Sequence, residues 1–280
     1  MLKPPGRGAA GARTGTARAP PAPRLRSAAV PDESLAAAVA AHPGWYHTID
    51  LPGGVSTPGF CDLRPFAEAA LPDSVAGKRV LDVGTFDGFW AFSLERRGPA
   101  CVYALDLPDG TQAEWPPNTA AENLAASREQ GLEWGSGFKL AHRALGSAVQ
   151  RIEGNVYDLD VAWLGEPVDL VLCGTLLQHL RDPVGGLERM RSVLRPGGEL
   201  LLAESFSAPL TRRHPRRPVA EFRPAMAGSK FSWWLPNLSA LKGWATTAGF
   251  LATDDPPVRH RPARGAGAGD HLVALRFRAP

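Results

Sequence analysis

Read only for apolar and polar positions, the middle of the chain alternates short, near-continuous apolar runs with longer stretches of helical period. Strands are expected over 79–84 (RVLDVG), 101–107 (CVYALDL), 150–155 (QRIEGN), 168–173 (VDLVLC) and 199–205 (ELLLAES). Helices are expected over 89–97, 119–130, 137–145, 184–194 and 238–248, with Gly98, the RPGG run and Gly249 as stops. The runs 251–254 and 271–277 complete seven strands. Strands that are apolar on both faces and separated by helices predict an α/β fold. The expected form is a parallel, doubly wound, Rossmann-like sheet with helices on both sides.

The flanks follow other patterns. DESLAAAVAAH predicts a helix with Asp32 as N-cap and HPG as its stop. WYHTIDLPGGVSTPG (45–59) holds too much Gly and Pro to be regular, and its aromatic start predicts a cover over something. Residues 1–30 lack periodicity and predict a disordered basic tail; with many prolines and one serine, Ser27, they fit a transit peptide poorly. The expected division is a tail over 1–30, a helical cover segment over 31–77 and a ligand-binding domain over 78–280. Two basic or low-complexity loops, 209–224 and 254–270, interrupt that domain.

Composition narrows the picture. The 280 residues are 44% hydrophobic, enough for one substantial core. No run of about 18 apolar residues predicts a membrane span, and no apolar segment follows the basic start as a secretion signal would require. The cysteines Cys61, Cys101 and Cys173 are far apart, so no metal is expected and a reducing cytoplasm fits. The net charge of +3 comes from the tail, which holds six basic residues and no acid; the remainder carries 25 basic and 28 acidic residues. Such a body is not built to grip a nucleic-acid backbone.

The chemistry starts at VLDVGTFDGFWAF (80–92), a strand, a turn with two glycines and an aromatic helix. In a doubly wound fold the ligand sits at the carboxyl ends of the strands, where Gly84 and Gly88 lie. The turn GTFDG lacks GxGxxG and GK[ST], and Asp87 inside it repels a pyrophosphate. A ligand with adenosine and a positive end suits it better. Asp106, about 20 residues on at the end of the second strand, can accept from both ribose hydroxyls and repels a 2′-phosphate. A nicotinamide dinucleotide is thereby disfavoured.

VLDVGTFDGFW followed by YALDL resembles the glycine-rich motif and ribose acid of class I S-adenosylmethionine-dependent methyltransferases, with Phe86 in place of the middle glycine of GxGxG. EGNVYDL, VDLVLCGTLLQHLRDP and LRPGGELLLAE match the family's later elements. The resemblance implies S-adenosylmethionine as cofactor, bound by Asp82, Gly84, Thr85, Asp87, Gly88, Asp106, Leu107, Asn155, Val156, Cys173 and Gly174. WYHTIDLPGGVSTPGFCDLRP and FSWWLPNLSALKGWATTAGF narrow it to a subfamily that includes tRNA wobble-uridine 5-methoxyuridine and 5-carboxymethoxyuridine enzymes. There Arg64 matches a basic residue placed against the cofactor. The carboxylated cofactor of the tRNA enzyme needs a Lys, a Tyr and an Arg; here WYHTID has no Lys, Gln178 replaces the Tyr and His271 stands near the Arg. Ordinary S-adenosylmethionine is therefore expected.

His179 is the candidate general base, in a pKa range that suits the task, or else a brace for the following helix. Gln178 orients a substrate oxygen or is a plain surface residue. Trp45, Tyr46, His47, Trp233 and Trp234 enclose a flat acceptor or fill core. Arg212, Arg213, Arg216 and Arg217 attract an anion or form a solvated loop. The expected function is methyl transfer to a small-molecule acceptor, a specialised metabolite fitting best. A tRNA wobble-uridine methyl or carboxymethyl transferase and a non-catalytic cofactor-binding protein are the alternatives.

Overall fold

The computed structural model describes residues 33–225, 231–261 and 270–280. The predicted tail and the Asp32 cap lie outside the described residues. The elements run α1 (Glu33–Ala41), α2 (Arg64–Ala70), β1 (Arg79–Val83), α3 (Phe89–Glu95), β2 (Cys101–Asp106), α4 (Ala120–Glu129), α5 (Ser136–Leu145), β3 (Gln150–Glu153), β4 (Val168–Gly174) and α6 (Pro183–Ser192). They continue with β5 (Leu194–Ser207), α7 (Ala208–Arg213), β6 (Ala220–Phe222), β7 (Trp234–Pro236), α8 (Leu238–Thr247), β8 (Leu251–Ala252), β9 (Val258–His260) and β10 (Asp270–Arg278).

The main sheet has the order β3-β2-β1-β4-β5-β10-β8, with β9 also paired to β10. Five strands from β3 to β5 are parallel, as the apolar runs predict. The departure from the expected parallel direction is confined to the β10 edge, where β10 runs antiparallel to β5, β8 and β9. Among the described residues no helix lies between β8 and β10 to serve as the crossover that a parallel pairing requires. Two buried clusters cover the two faces: Val80, Leu170 and Leu172 meet Phe66, Trp90 and Phe92 on one, while Leu81, Val171 and Leu202 meet Leu187, Leu241 and Phe250 on the other. Residues of the N-terminal segment, including Trp45, Ile49, Leu63 and Phe66, belong to the first cluster.

The predicted loop over 209–224 is more ordered than its composition implies. Ser207 caps α7, and β6 pairs with β7 in a separate two-stranded ribbon. Buried Asn237 ties this excursion down. Its Oδ1 caps α8 at Ala240 (2.8 Å) and accepts from Val219 N–H, while its Nδ2 donates to the carbonyls of His214 and Arg217. The RPGG run does not end a helix but lies inside β5, since α6 stops at Ser192. Of the 254–270 stretch, 258–260 forms β9 and 262–269 lie outside the described residues. Among the described residues no helix is long and apolar enough to cross a membrane, and no group of three His, Cys, Asp or Glu gathers as a metal site.

Candidate functional site

The turn after β1 is stapled to the end of β2. Gly84 N–H and Thr85 N–H both donate to Leu105 O, at 2.9 and 3.1 Å, and Phe86 N–H donates to Asp106 Oδ2 at 2.6 Å. Gly84 and Gly88 hold φ of +77° and +90°, which L side chains rarely adopt. Phe86 also sits at positive φ, +49°. The backbone shape of a glycine-rich turn is thus kept where the sequence departs from GxGxG. Gly88 serves packing: a Cβ there would meet the Phe92 ring at 2.3 Å, and its N–H and C=O are spent on Thr85 and Phe92.

Asp106 ends β2 facing a cavity of about 720 Å³. Its Oδ1 accepts from Leu107 N–H (2.7 Å) and from Trp134 Nε1–H (3.2 Å). Burial pushes its pKa up; the Trp134 donor and Arg151 oppose the rise. Trp134, not anticipated from the sequence, therefore orients the acid. Gly84, Leu107, Asn155, Val156 and Gly174 share the cavity wall with Asp106. Asn155 accepts Tyr157 N–H through its side chain, fixing the turn after β3.

On the other side of β1, β4 ends at Gly174 and leads to Thr175, at φ +51°. Glu204 of β5 holds this loop. Its Oε1 accepts from Leu176 N–H (3.0 Å), Leu177 N–H (3.1 Å) and Cys173 Sγ (3.2 Å), and burial raises its pKa to about 7. Cys173 is buried behind the wall, tied to Glu204. The loop delivers Gln178 and His179 to the cavity. His179 Nδ1 lies 2.7 Å from Phe231 O, so Nδ1–H donates and Nε2 carries the lone pair. The Gln178 amide donates to that lone pair at 3.2 Å. Burial lowers the His179 pKa.

The segment between α1 and α2 contributes Tyr46, His47, Phe60, Cys61 and Leu63 to the wall. His47 pairs with Asp87 of the turn at 2.6 Å, and Asp87 also accepts the N–H groups of Tyr46 and His47. Asp87 thus anchors this segment and does not line the cavity. Several other expected site residues also fall outside the wall. Arg64 is held by Asp62 and Asp50, both at 2.6 Å, with its side chain 40% exposed. Trp45 is buried against α1, its Nε1–H donating to Val39 O. Trp233 donates to Glu114 O, and Trp234 to Arg181 O, so both brace neighbouring loops. Sequence reasoning missed Glu114, Trp115, Tyr157 and Phe231 in the wall, all on irregular segments without a periodic signal.

Beneath and beside the turn, Trp90 Nε1 and His47 Nε2 are buried with no partner among the described residues. Asp82 is fully buried and its pKa is raised to about 7 by desolvation, with Thr85, His47 and Ala91 N–H tempering the rise. Among the described lining residues are Asp106 and Glu114 but no Arg or Lys. This donor set fits a ligand with a ribose diol, an adenine and a net positive end. It opposes a pyrophosphate or a 2′-phosphate.

Comparison with known proteins agrees. Residues 59–253 match the family model described as a methyltransferase domain. The ubiquinone biosynthesis O-methyltransferase of Xylella fastidiosa (strain M23) is 30% identical over 202 residues, 68% of this chain and 68% of that protein. The one from Xanthomonas axonopodis pv. citri (strain 306) is 35% identical over 200 residues, 68% and 69% of the two chains. A tRNA U34 carboxymethyltransferase of Desulforapulum autotrophicum is 26% identical over 178 residues, 62% of this chain and 44% of that one. Among solved structures, the N-terminal domain of EvdMO1 with SAH bound shares the fold at a TM-score of 0.55 and 17% identity, covering 91% of this chain and 100% of that domain. The chain belongs to the methyltransferase-domain family and is an S-adenosylmethionine-dependent methyltransferase.

Proposed function

We propose that the enzyme methylates a small, uncharged or cationic acceptor held beside the cofactor in the cavity. The observation that carries this reading is the wall itself: about 720 Å³, aromatic at Tyr46, Phe60, Phe86, Trp115, Trp134 and Phe231, with no Arg or Lys among the described lining residues. That volume suits a small-molecule site. An anionic acceptor, or a nucleic-acid backbone, would find no Arg or Lys there. The same lack opposes the carboxylated cofactor, for which Gln178 and His271 offer no fixed charge. The O-methyltransferase names of the 30% and 35% identical relatives favour an oxygen acceptor.

Bound S-adenosylmethionine supplies a methyl group already activated on a sulfonium, so the chain's work is positioning, exclusion of water and proton removal. In this reading Asp106 and Trp134 hold the ribose side, Asn155 and Val156 flank the adenine, and Asp82, beneath the turn, favours the cationic amino end. His179 takes the acceptor's proton at Nε2. Its Nδ1–H is already committed to Phe231 O, and its lowered pKa keeps it neutral at neutral pH. Gln178 gives up its bond to Nε2 when the acceptor arrives and turns to the acceptor's oxygen.

The test is transfer of labelled methyl from S-adenosylmethionine into a metabolite extract and, separately, into bulk tRNA. Label in an extract compound of low mass is expected; label only in tRNA would overturn the small-molecule reading. His179→Ala is expected to lower kcat about 10²- to 10⁴-fold with cofactor affinity retained. In the wild type, kcat should fall on the acid side as pH drops through the lowered His179 pKa, because the base is lost on protonation; the same acid-side fall in His179→Ala would remove His179 from that role.

A further inference from the structure

The histidine beside the glycine turn has one ring nitrogen committed and one bare. His47 Nδ1 lies 2.6 Å from Asp87 Oδ1, and an ionised carboxylate only accepts, so Nδ1 carries a proton. Asp87 Oδ2 accepts from Tyr46 N–H (3.1 Å) and His47 N–H (2.8 Å), which fixes the carboxylate. The imidazole stacks on Phe89 with centroids 4.9 Å apart and planes 17° apart. The ring is therefore locked in orientation. Its Nε2 has no partner among the described residues, although the residue is only 4% exposed and lines the cavity. A buried polar atom in this condition is costly unless something meets it.

Its place in the sheet says what would meet it. β1 lies between β2 and β4. Asp106 at the end of β2 marks the ribose side, so the amino-acid end of the cofactor falls toward β1 and β4. His47 stands at the turn after β1, in a wall shared with Cys61, Gly174 and Leu272. The amino-acid end carries an α-carboxylate, which needs a cationic partner when enclosed. No Arg or Lys is among the described lining residues, and Arg64, the residue expected for this task, is held outside the wall by two aspartates. A histidine whose Nδ1–H is already given to a carboxylate can offer Nε2–H to a second carboxylate once it binds another proton.

We propose that His47, its Nδ1–H fixed by Asp87, takes up a second proton when S-adenosylmethionine binds and donates Nε2–H to its α-carboxylate. The inference rests on the cofactor assignment above and assigns the carboxylate end within it. The second proton comes from solvent. His179 keeps the proton-removing role, since its lone pair and not its N–H faces the cavity.

The test is calorimetric titration of wild type and His47→Gln with S-adenosylmethionine and with decarboxylated S-adenosylmethionine, which differ only in the carboxylate. Wild type is expected to prefer the carboxylated ligand by about tenfold or more, and His47→Gln to reduce that preference to about threefold or less. The ratio of two affinities in one protein is unmoved by a general loss of stability. Where His47→Gln does not fold, nitrogen NMR of the wild type decides: the His47 ring signals should take the imidazolium pattern on adding S-adenosylmethionine and not on adding the decarboxylated analogue. A wild type without preference, an unchanged ratio in the variant, or ring signals that answer both ligands alike would overturn the proposal. Wild type that binds neither ligand would instead overturn the cofactor assignment on which it rests.

Discussion

Gly84 and Gly88 show how two glycines in one motif do different work. A Cβ at Gly84 would meet only the flexible Leu176 side chain, at 3.2 Å, whereas at Gly88 it would run into two aromatic rings, Phe92 and Phe138, at 2.3 and 2.8 Å. Gly84→Asp is therefore expected to leave a folded protein that no longer binds cofactor, since a carboxylate enters the cavity beside Asp106. Retained tight binding by calorimetry would sink that role. Gly88→Ala is expected to cost about 3 kcal/mol of stability in urea unfolding, from positive φ and overpacking together. Asp106→Asn should weaken cofactor binding about 10- to 100-fold, because one acceptor oxygen becomes a donor. The motif glycines and Asp106 were legible in the sequence. Trp134 and the His47–Asp87 pair were not, because each joins residues 28 or 40 positions apart that carry no shared pattern.

At the scale of elements, apolar runs revealed β1, β2, β4 and β5 because strands buried on both faces leave little room for polar residues. The direction of β10 was not legible, since the same apolar run serves a parallel or an antiparallel neighbour. The ordering of 208–219 was hidden too. Its basic and proline-rich composition gives no sign that Asn237, beyond it in the chain, satisfies its carbonyls. Asn237→Ala is expected to cost about 2–4 kcal/mol, as a helix cap and several buried hydrogen bonds are lost together. A shift in the urea midpoint worth less than about 1 kcal/mol would contradict the anchoring role. Glu204 is a comparable case on the catalytic side: within ELLLAES it reads as one more strand residue, yet it holds the loop that carries Gln178 and His179.

For the molecule as a whole, the buried acids make stability depend on pH. Asp82 and Glu204 have pKa values raised to about 7. Between their unfolded values, about 4, and about 7, the native state binds more protons than the unfolded chain, so stability falls as pH rises through that window. Below it both states are protonated and the effect vanishes. His42, His179 and His260, with lowered values, act in the opposite sense below about 6.5. Comparison with Glu204→Gln isolates the carboxyl contribution. Relative to that variant, the wild type should lose on the order of 3 kcal/mol between pH 5 and pH 8. Parallel profiles for the two proteins would mean that Glu204 titrates normally.

The measurement that bears most directly on the whole account is native mass spectrometry of the purified protein after incubation with equimolar S-adenosylmethionine, its carboxylated derivative and NAD, followed by identification of the released ligand. One S-adenosylmethionine, or its demethylated product, is expected per chain, with loss of that complex in Gly84→Asp. A carboxylated cofactor, a bound dinucleotide, or no complex at all would contradict it.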